Sequence, residues 1–261
     1  MQSHRRFLSF GCGAAIGTLG GLIGLGGAEF RLPLLIGLFG FGALEAVILN
    51  KAMSLVVVAA ALPLRAYSVP FSAVFERWDI ILTLLSGSLA GAWFGAGWAT
   101  RLKSKTLYRI ISGLLVAIAI LLLFGHEANA QVIHINAVAL AIVGAMAGVV
   151  IGVVASLMGV AGGELLIPTI VLLFGANIKL AGSLSLAVSL PTMITGFSRY
   201  SRDQSFSVIR QQSRFIITMA MGSLVGAFLG GQLLGLLPTH YLLPVLAGIL
   251  VISSFKVWRH A

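Results

Sequence analysis

Long apolar runs separated by short polar breaks set the pattern of this chain. A run of about 20 residues with few charges can cross the hydrocarbon core of a bilayer as a helix. Such runs predict long helices near 7–26, 43–65, 78–99, 106–124, 134–158, 178–199, 212–235 and 240–258. Two shorter runs remain, 29–40 and 164–175, of 12 residues each. As helices they reach about 18 Å against a core of ~30 Å, so neither is expected to cross alone.

Composition agrees with this pattern. Of 261 residues, 59% are hydrophobic and 9% charged, and the mean hydropathy is +1.06. A soluble domain carries about 25% charged residues, so the expectation is one transmembrane domain surrounded by membrane lipid. The net charge is +10 and the pI 10.7. The basic residues cap apolar runs instead of forming one face, which argues against nucleic acid as a partner. A single cysteine, Cys12, excludes a disulfide framework and a thiolate cluster. The five histidines show no ligand spacing, so neither a metal nor a cofactor is expected. His4-Arg5-Arg6 before an apolar run has the form of a signal-peptide start. That run has a partner in mid-chain, described below, and is read as the first helix of the fold.

Lysine and arginine set the expected orientation. Twelve of the 17 basic residues fall in four places: Arg5–Arg6, residues 100–109, residues 199–214, and Lys256 with Arg259. Placing all four in the cytoplasm leaves 125–133 and 236–241 outside, and these contain no Lys or Arg. Both termini are then cytoplasmic in a multi-pass protein of the plasma (inner) membrane. Counting spans makes each long helix plus short run an even number of crossings. A re-entrant pair satisfies the count: a long helix, a glycine-rich break, and a returning half-helix.

The chain also repeats itself. Sliding residues 13–55 forward by 135 positions, without a gap, gives 16 identities in 43 positions. They include Glu29/Glu164, Pro33/Pro168, Gly40/Gly175 and Ser54/Ser189. Residues 1–126 form the first repeat and 134–261 the second. Gly87, Gly91 and Gly95 map onto Gly222, Gly226 and Gly230, and Gly13, Gly17 and Gly21 make a similar seam. Small residues at every fourth position let membrane helices approach closely, so these seams are read as packing. An odd number of crossings per repeat makes the halves inverted. Inverted repeats with interrupted helices are a signature of secondary transporters, whose site lies near the midplane where the breaks meet. The expected architecture is therefore all-α, with about eight long transmembrane helices and two re-entrant half-helices.

The first break runs from Gly24 through Gly26, Gly27, Ala28 and Glu29 to Pro33. The second runs from Gly159 through Ala161, Gly162, Gly163 and Glu164 to Pro168. Unwound backbone and a half-helix N-terminus present N–H donors and a positive dipole end, which favour a small anionic substrate. Glu29 and Glu164 begin the half-helices, where a carboxylate caps the helix. The alternative role is proton coupling, since ionisable groups at depth tend to be functional. With both carboxylates ionised and only Lys51 and the two dipoles against them, the local charge is near zero. Protonation makes it positive, so an anion is expected to bind more tightly as pH falls. Lys51 lies about 12 Å into its helix, counted from Ala43. It is read as a countercharge to Glu29 or a substrate contact, with snorkelling as the alternative. Its partner in the second repeat is Leu186, and that of Arg31 is Leu166. Asn50, Ser183 and Ser185, with Ser54 and Ser189, are placed as cavity-lining polar residues.

On these motifs the chain resembles the sulfite exporter TauE/SafE family. The resemblance rests on both glycine-rich breaks ending in proline, on the "LLIGLFGFGALEAVILNK" segment ending in Asn50-Lys51, and on "GVAGGELLIPTIVLLFG" followed by "AGSLSLAVSLP". It implies a permease of two related halves carrying sulfite, sulfonates or other organosulfur acids. Family motif positions map to Gly24, Gly26, Gly27, Pro33, Asn50 and Lys51, and to Gly159, Gly162, Gly163, Pro168, Ser183 and Ser185. Ala28 and Ala161 stand where a fuller glycine run is common. The expected function is a secondary transporter working by alternating access. H⁺ and Na⁺ are the candidate coupling ions, because no ATP-binding loop is present. The alternatives are an anion channel, a membrane anchor for a partner, and an intramembrane enzyme. For the last, the spans hold no HExxH, paired Asp or Ser/His arrangement.

Overall fold

In the computed structural model, residues 2–23, 27–65, 69–124, 136–233 and 239–260 are described. Among them the chain is helical, with no strand. The first half holds α1 (Gln2–Ile23), the short α2 (Ala28–Gly37), α3 (Ala43–Arg65), α4 (Phe71–Phe75), α5 (Trp78–Ala99) and α6 (Ser104–Phe124). The second half holds α7 (Ala137–Met158), the short α8 (Gly163–Phe174), α9 (Ile178–Tyr200), α10 (Ser207–Gln211), α11 (Ser213–Gln232) and α12 (Thr239–Trp258). Displacing α3 by the sequence offset of 135 gives the bounds of α9.

Among the described residues, six helices are long and apolar enough to cross a membrane: α3, α5, α6, α7, α9 and α11. The apolar stretches of α1 and α12 are shorter, Phe7–Leu22 and Pro244–Trp258. Six of the about eight expected spans thus meet that length and apolarity among the described residues. Large apolar side chains face outward, among them Phe94, Val138, Ile142, Met146, Phe228 and Ile252. Such a surface suits lipid, where outward apolar groups carry no penalty.

Helix ends follow local chemistry. Asn136 and Asn177 accept hydrogen bonds from Ala139 N (2.7 Å) and Leu180 N (2.9 Å), capping α7 and α9. The first-half equivalent of Asn177 is Gly42, which has no side chain to offer. There Glu45 Oε2 reaches back to Gly42 N at 3.2 Å instead. Gly27 and Gly162 precede the half-helices with φ of 66° and 81°, a left-handed conformation that side chains beyond glycine rarely adopt.

The two halves are interlocked. The most extensive contacts join α1 to α11 and α5 to α7, each across the repeat boundary. Glycine seams make these contacts, as backbone lies on backbone. Gly13 and Gly17 face Met219 and Ser223, while Gly148 and Gly152 face Leu84 and Ser88, the same pairs moved by the repeat offset. Gly222, Gly226 and Gly230 face Phe10, Ala14 and Thr18. Gly87, Gly91 and Gly95 face Ala145, Val149 and Val153. Thus α1 and α11 run parallel, as do α5 and α7. Near the centre, α3 and α9 pack on each other, and α6 packs on α12.

Candidate functional site

The middle of α3 is the most enclosed part of the molecule. Ala46 to Leu49 are fully buried, and so are Asn50 and Lys51. This turn passes against both helix breaks. Asn50 Nδ2 donates to Ala28 O at 3.0 Å and to Met158 O at 3.1 Å. One amide thus ties the start of α2 to the end of α7, 22 and 108 residues away. A methyl at Gly159 would strike Val47 O, so the second break lies directly on α3.

The last carbonyls of α7 accept from the turn that follows it, Ala155 O from Val160 N at 3.0 Å and Ser156 O from Gly159 N at 3.1 Å. Polar side chains from elsewhere meet them. Lys51 Nζ donates to Ala155 O at 3.2 Å, and Tyr200 Oη donates to Ser156 O at 2.9 Å. The carbonyl ends of a helix favour a cation, which gives Lys51 a local reason to be there. Its side chain also lies against Gly196, where a methyl would be 3.2 Å from Nζ. Lys51 is fully buried, so it does not snorkel. No ion pair joins it to Glu29 among the described residues.

Glu29 and Glu164 are the second residues of α2 and α8. Both are buried, and their carboxyls lie close enough to interact with each other. Glu29 also lies near its own backbone amide and within electrostatic range of Arg31, which is fully buried. Residues two apart point to different sides of a helix, yet a long arginine buried in the same place still feels the carboxylate.

Several buried polar atoms have no hydrogen-bond partner among the described residues. They include both carboxyl oxygens of Glu29, Glu164 Oε2, Ser54 Oγ, Ser189 Oγ, Ser183 Oγ and Asn50 Oδ1. Glu29 with Glu164 and Ser54 with Ser189 are repeat-equivalent pairs. Buried polar atoms normally find a partner, so the orphaned oxygens of the neighbouring Glu29 and Glu164 suit a polar ligand. Ser185 differs, since its Oγ donates to Gly182 O of its own helix at 2.9 Å. Gly163 begins α8, and Ala161 is half-buried in the turn before it. Gly24 and Gly26 lie outside the described residues.

Sequence reasoning passed over Ser156, Gly196 and Tyr200. Ser156 Oγ donates to Ala92 O at 3.0 Å, and all three residues surround the Lys51 end of the site. A serine inside the otherwise apolar α7 was the available signal. Tyr200 had none, because it sits among polar residues at a helix end. Trp93 is half-buried and carries Arg199 and Arg202 on its ring.

No curated protein and no solved structure matches the chain. The family model of the sulfite exporters does, over residues 8–257, which is nearly the whole chain. With six helices able to cross a bilayer among its described residues, this multi-pass membrane protein belongs to the sulfite exporter TauE/SafE family of permeases.

Proposed function

We propose that the protein is a secondary transporter of small anions: sulfite, sulfonates or other organosulfur acids. The supporting observation is the convergence of the start of α2 and the end of α7 on one side chain, Asn50, with Glu29 and Glu164, from the first turns of the two half-helices, close enough to interact. Two N-terminal dipoles contribute roughly half a positive charge each. Lys51 and Arg31 add two cations against two carboxylates. With all four side chains ionised, the sum is about one positive charge, which matches a monoanion such as hydrogen sulfite or an alkyl sulfonate. A dianion would be matched after one carboxylate takes up a proton. Protons are therefore the favoured coupling ion over Na⁺.

The exchanged helix pairs support an inverted-repeat arrangement, with both termini cytoplasmic and alternating access around a site near the midplane. In that arrangement the two breaks arrive from opposite sides of the bilayer and meet at α3. Reconstitution in liposomes tests the reading. Saturable uptake of sulfite or an alkyl sulfonate, with counterflow against the same anion and none for a carboxylate of similar size, is the expected result. Uptake that does not saturate and shows no counterflow would make the protein a channel. No uptake of any sulfur anion would end the substrate assignment.

A further inference from the structure

At the end of the helices that carries Arg101 and Arg199, an open groove of about 520 Å³ lies between α5, α7 and α9. Trp93, Phe94, Trp98, Arg101 and Arg199 line it, with Val153 at its base. Arg199 and Arg202 lie over the Trp93 ring, at 5.6 and 4.9 Å from its centroid. The Arg199 guanidinium also rests on α5, where a methyl at Gly97 would be 3.1 Å from Nε. Stacking uses the face of a guanidinium and leaves its N–H edges to bond an anion. No carboxylate is within ion-pair distance of Arg101, Arg199 or Arg202 among the described residues. Phe94 and Trp98 are 72% and 50% exposed, so the groove opens sideways onto an apolar surface.

We infer that this groove holds an anionic glycerophospholipid: the phosphate at the arginine edges, the glycerol beside Trp98, and one acyl chain along Phe94 and Val153. Three features favour a lipid over a small anion. The lining is aromatic and apolar apart from the arginines. The opening faces the lipid side. Tryptophan and arginine together at a helix end are the usual companions of a headgroup layer. The fold itself does not demand the cations. The repeat-equivalents of Trp93, Trp98, Arg101, Arg199 and Arg202 are Phe228, Leu233, Leu236, Leu64 and Tyr67, with no positive charge among them. The site is thus confined to one leaflet.

The test uses the full-length protein in a neutral detergent, followed by native mass spectrometry and thermal unfolding. Phosphatidylglycerol, phosphatidylcholine and glycerol phosphate are added in turn. The expected result is retention and stabilisation by phosphatidylglycerol alone. Its apparent affinity should fall about tenfold in Arg199→Gln/Arg202→Gln, from the loss of two interfacial cations. Arg202→Gln alone, at an exposed position beyond the helix end, should give part of that loss without risk to folding. Lys103→Gln/Lys105→Gln, which removes two exposed cations outside the groove, should bind as wild type does. The inference is overturned if phosphatidylcholine binds equally or if the Lys variant loses as much. It is also overturned if glycerol phosphate stabilises as well as the lipid, which would make the groove a vestibule for small anions.

Discussion

Asn50 carries two bonds that no neighbour can replace. Asn50→Ala leaves Ala28 O and Met158 O buried with one donor fewer each. The expected loss is about 1–3 kcal/mol, read as earlier thermal or denaturant unfolding of the purified protein. Lys51 has a mixed role, because its ammonium both meets Ala155 O and adds charge beside the breaks. Lys51→Met keeps the stem and removes the charge. It is expected to weaken sulfonate binding by a larger factor than it lowers stability, and equal losses would leave Lys51 as a helix cap only. The carboxylates make the third case. Each proton bound at Glu29 or Glu164 raises the local charge by one, so proton and anion favour each other's binding. A sulfonate keeps its charge across the neutral range. Its affinity should therefore rise from about pH 8 to about pH 5 in wild type and flatten in Glu29→Gln/Glu164→Gln. A wild-type profile that is flat or rises with pH would rule out proton linkage.

Among elements, glycines divide by what faces them. Gly91 lies on Val149 backbone, so Gly91→Leu must push α5 from α7, at a cost of about 1–3 kcal/mol or more. Gly113 of α6 has nothing within 4 Å. Gly113→Ala should stabilise by roughly 0.5–1 kcal/mol through helix propensity alone. Thermal unfolding of the two variants checks the contrast. Element bounds were legible because long apolar runs, Asn caps and glycine breaks are local signals. The α7 helix was placed at 134–158 and runs Ala137–Met158. The half-helices were legible from length alone. The polar partners were not. Nothing local to Lys51 says that it reaches Ala155, 104 residues away, or that Tyr200 closes the same helix end. Helical spacing points Arg31 away from Glu29, yet burial in the same place brings the two charges into range. Such pairings depend on which helices cross, and the crossing is set by seams on other residues.

For the molecule as a whole, the proposed topology has a direct check. The native Cys12 is half-buried and is first replaced by serine. A cysteine placed at His126 should then react with an impermeant reagent from outside, and one at Lys103 should not. The reverse pattern would remove the loop count on which inversion rests. The glycine seams have one more consequence. Because α1 is zipped to α11 and α5 to α7, the units that stay together are not the two sequence halves. A chain cut within 125–135 yields fragments that each lack the partners of their own seams. Neither is expected to be stable when made alone, while the two made together should recover the native protein, as seen by co-purification. Whatever body moves during transport is then a hybrid of both halves. A bulky change at Gly17 would press on the backbone of Ser223, so the helix shift it forces falls in the other half of the chain.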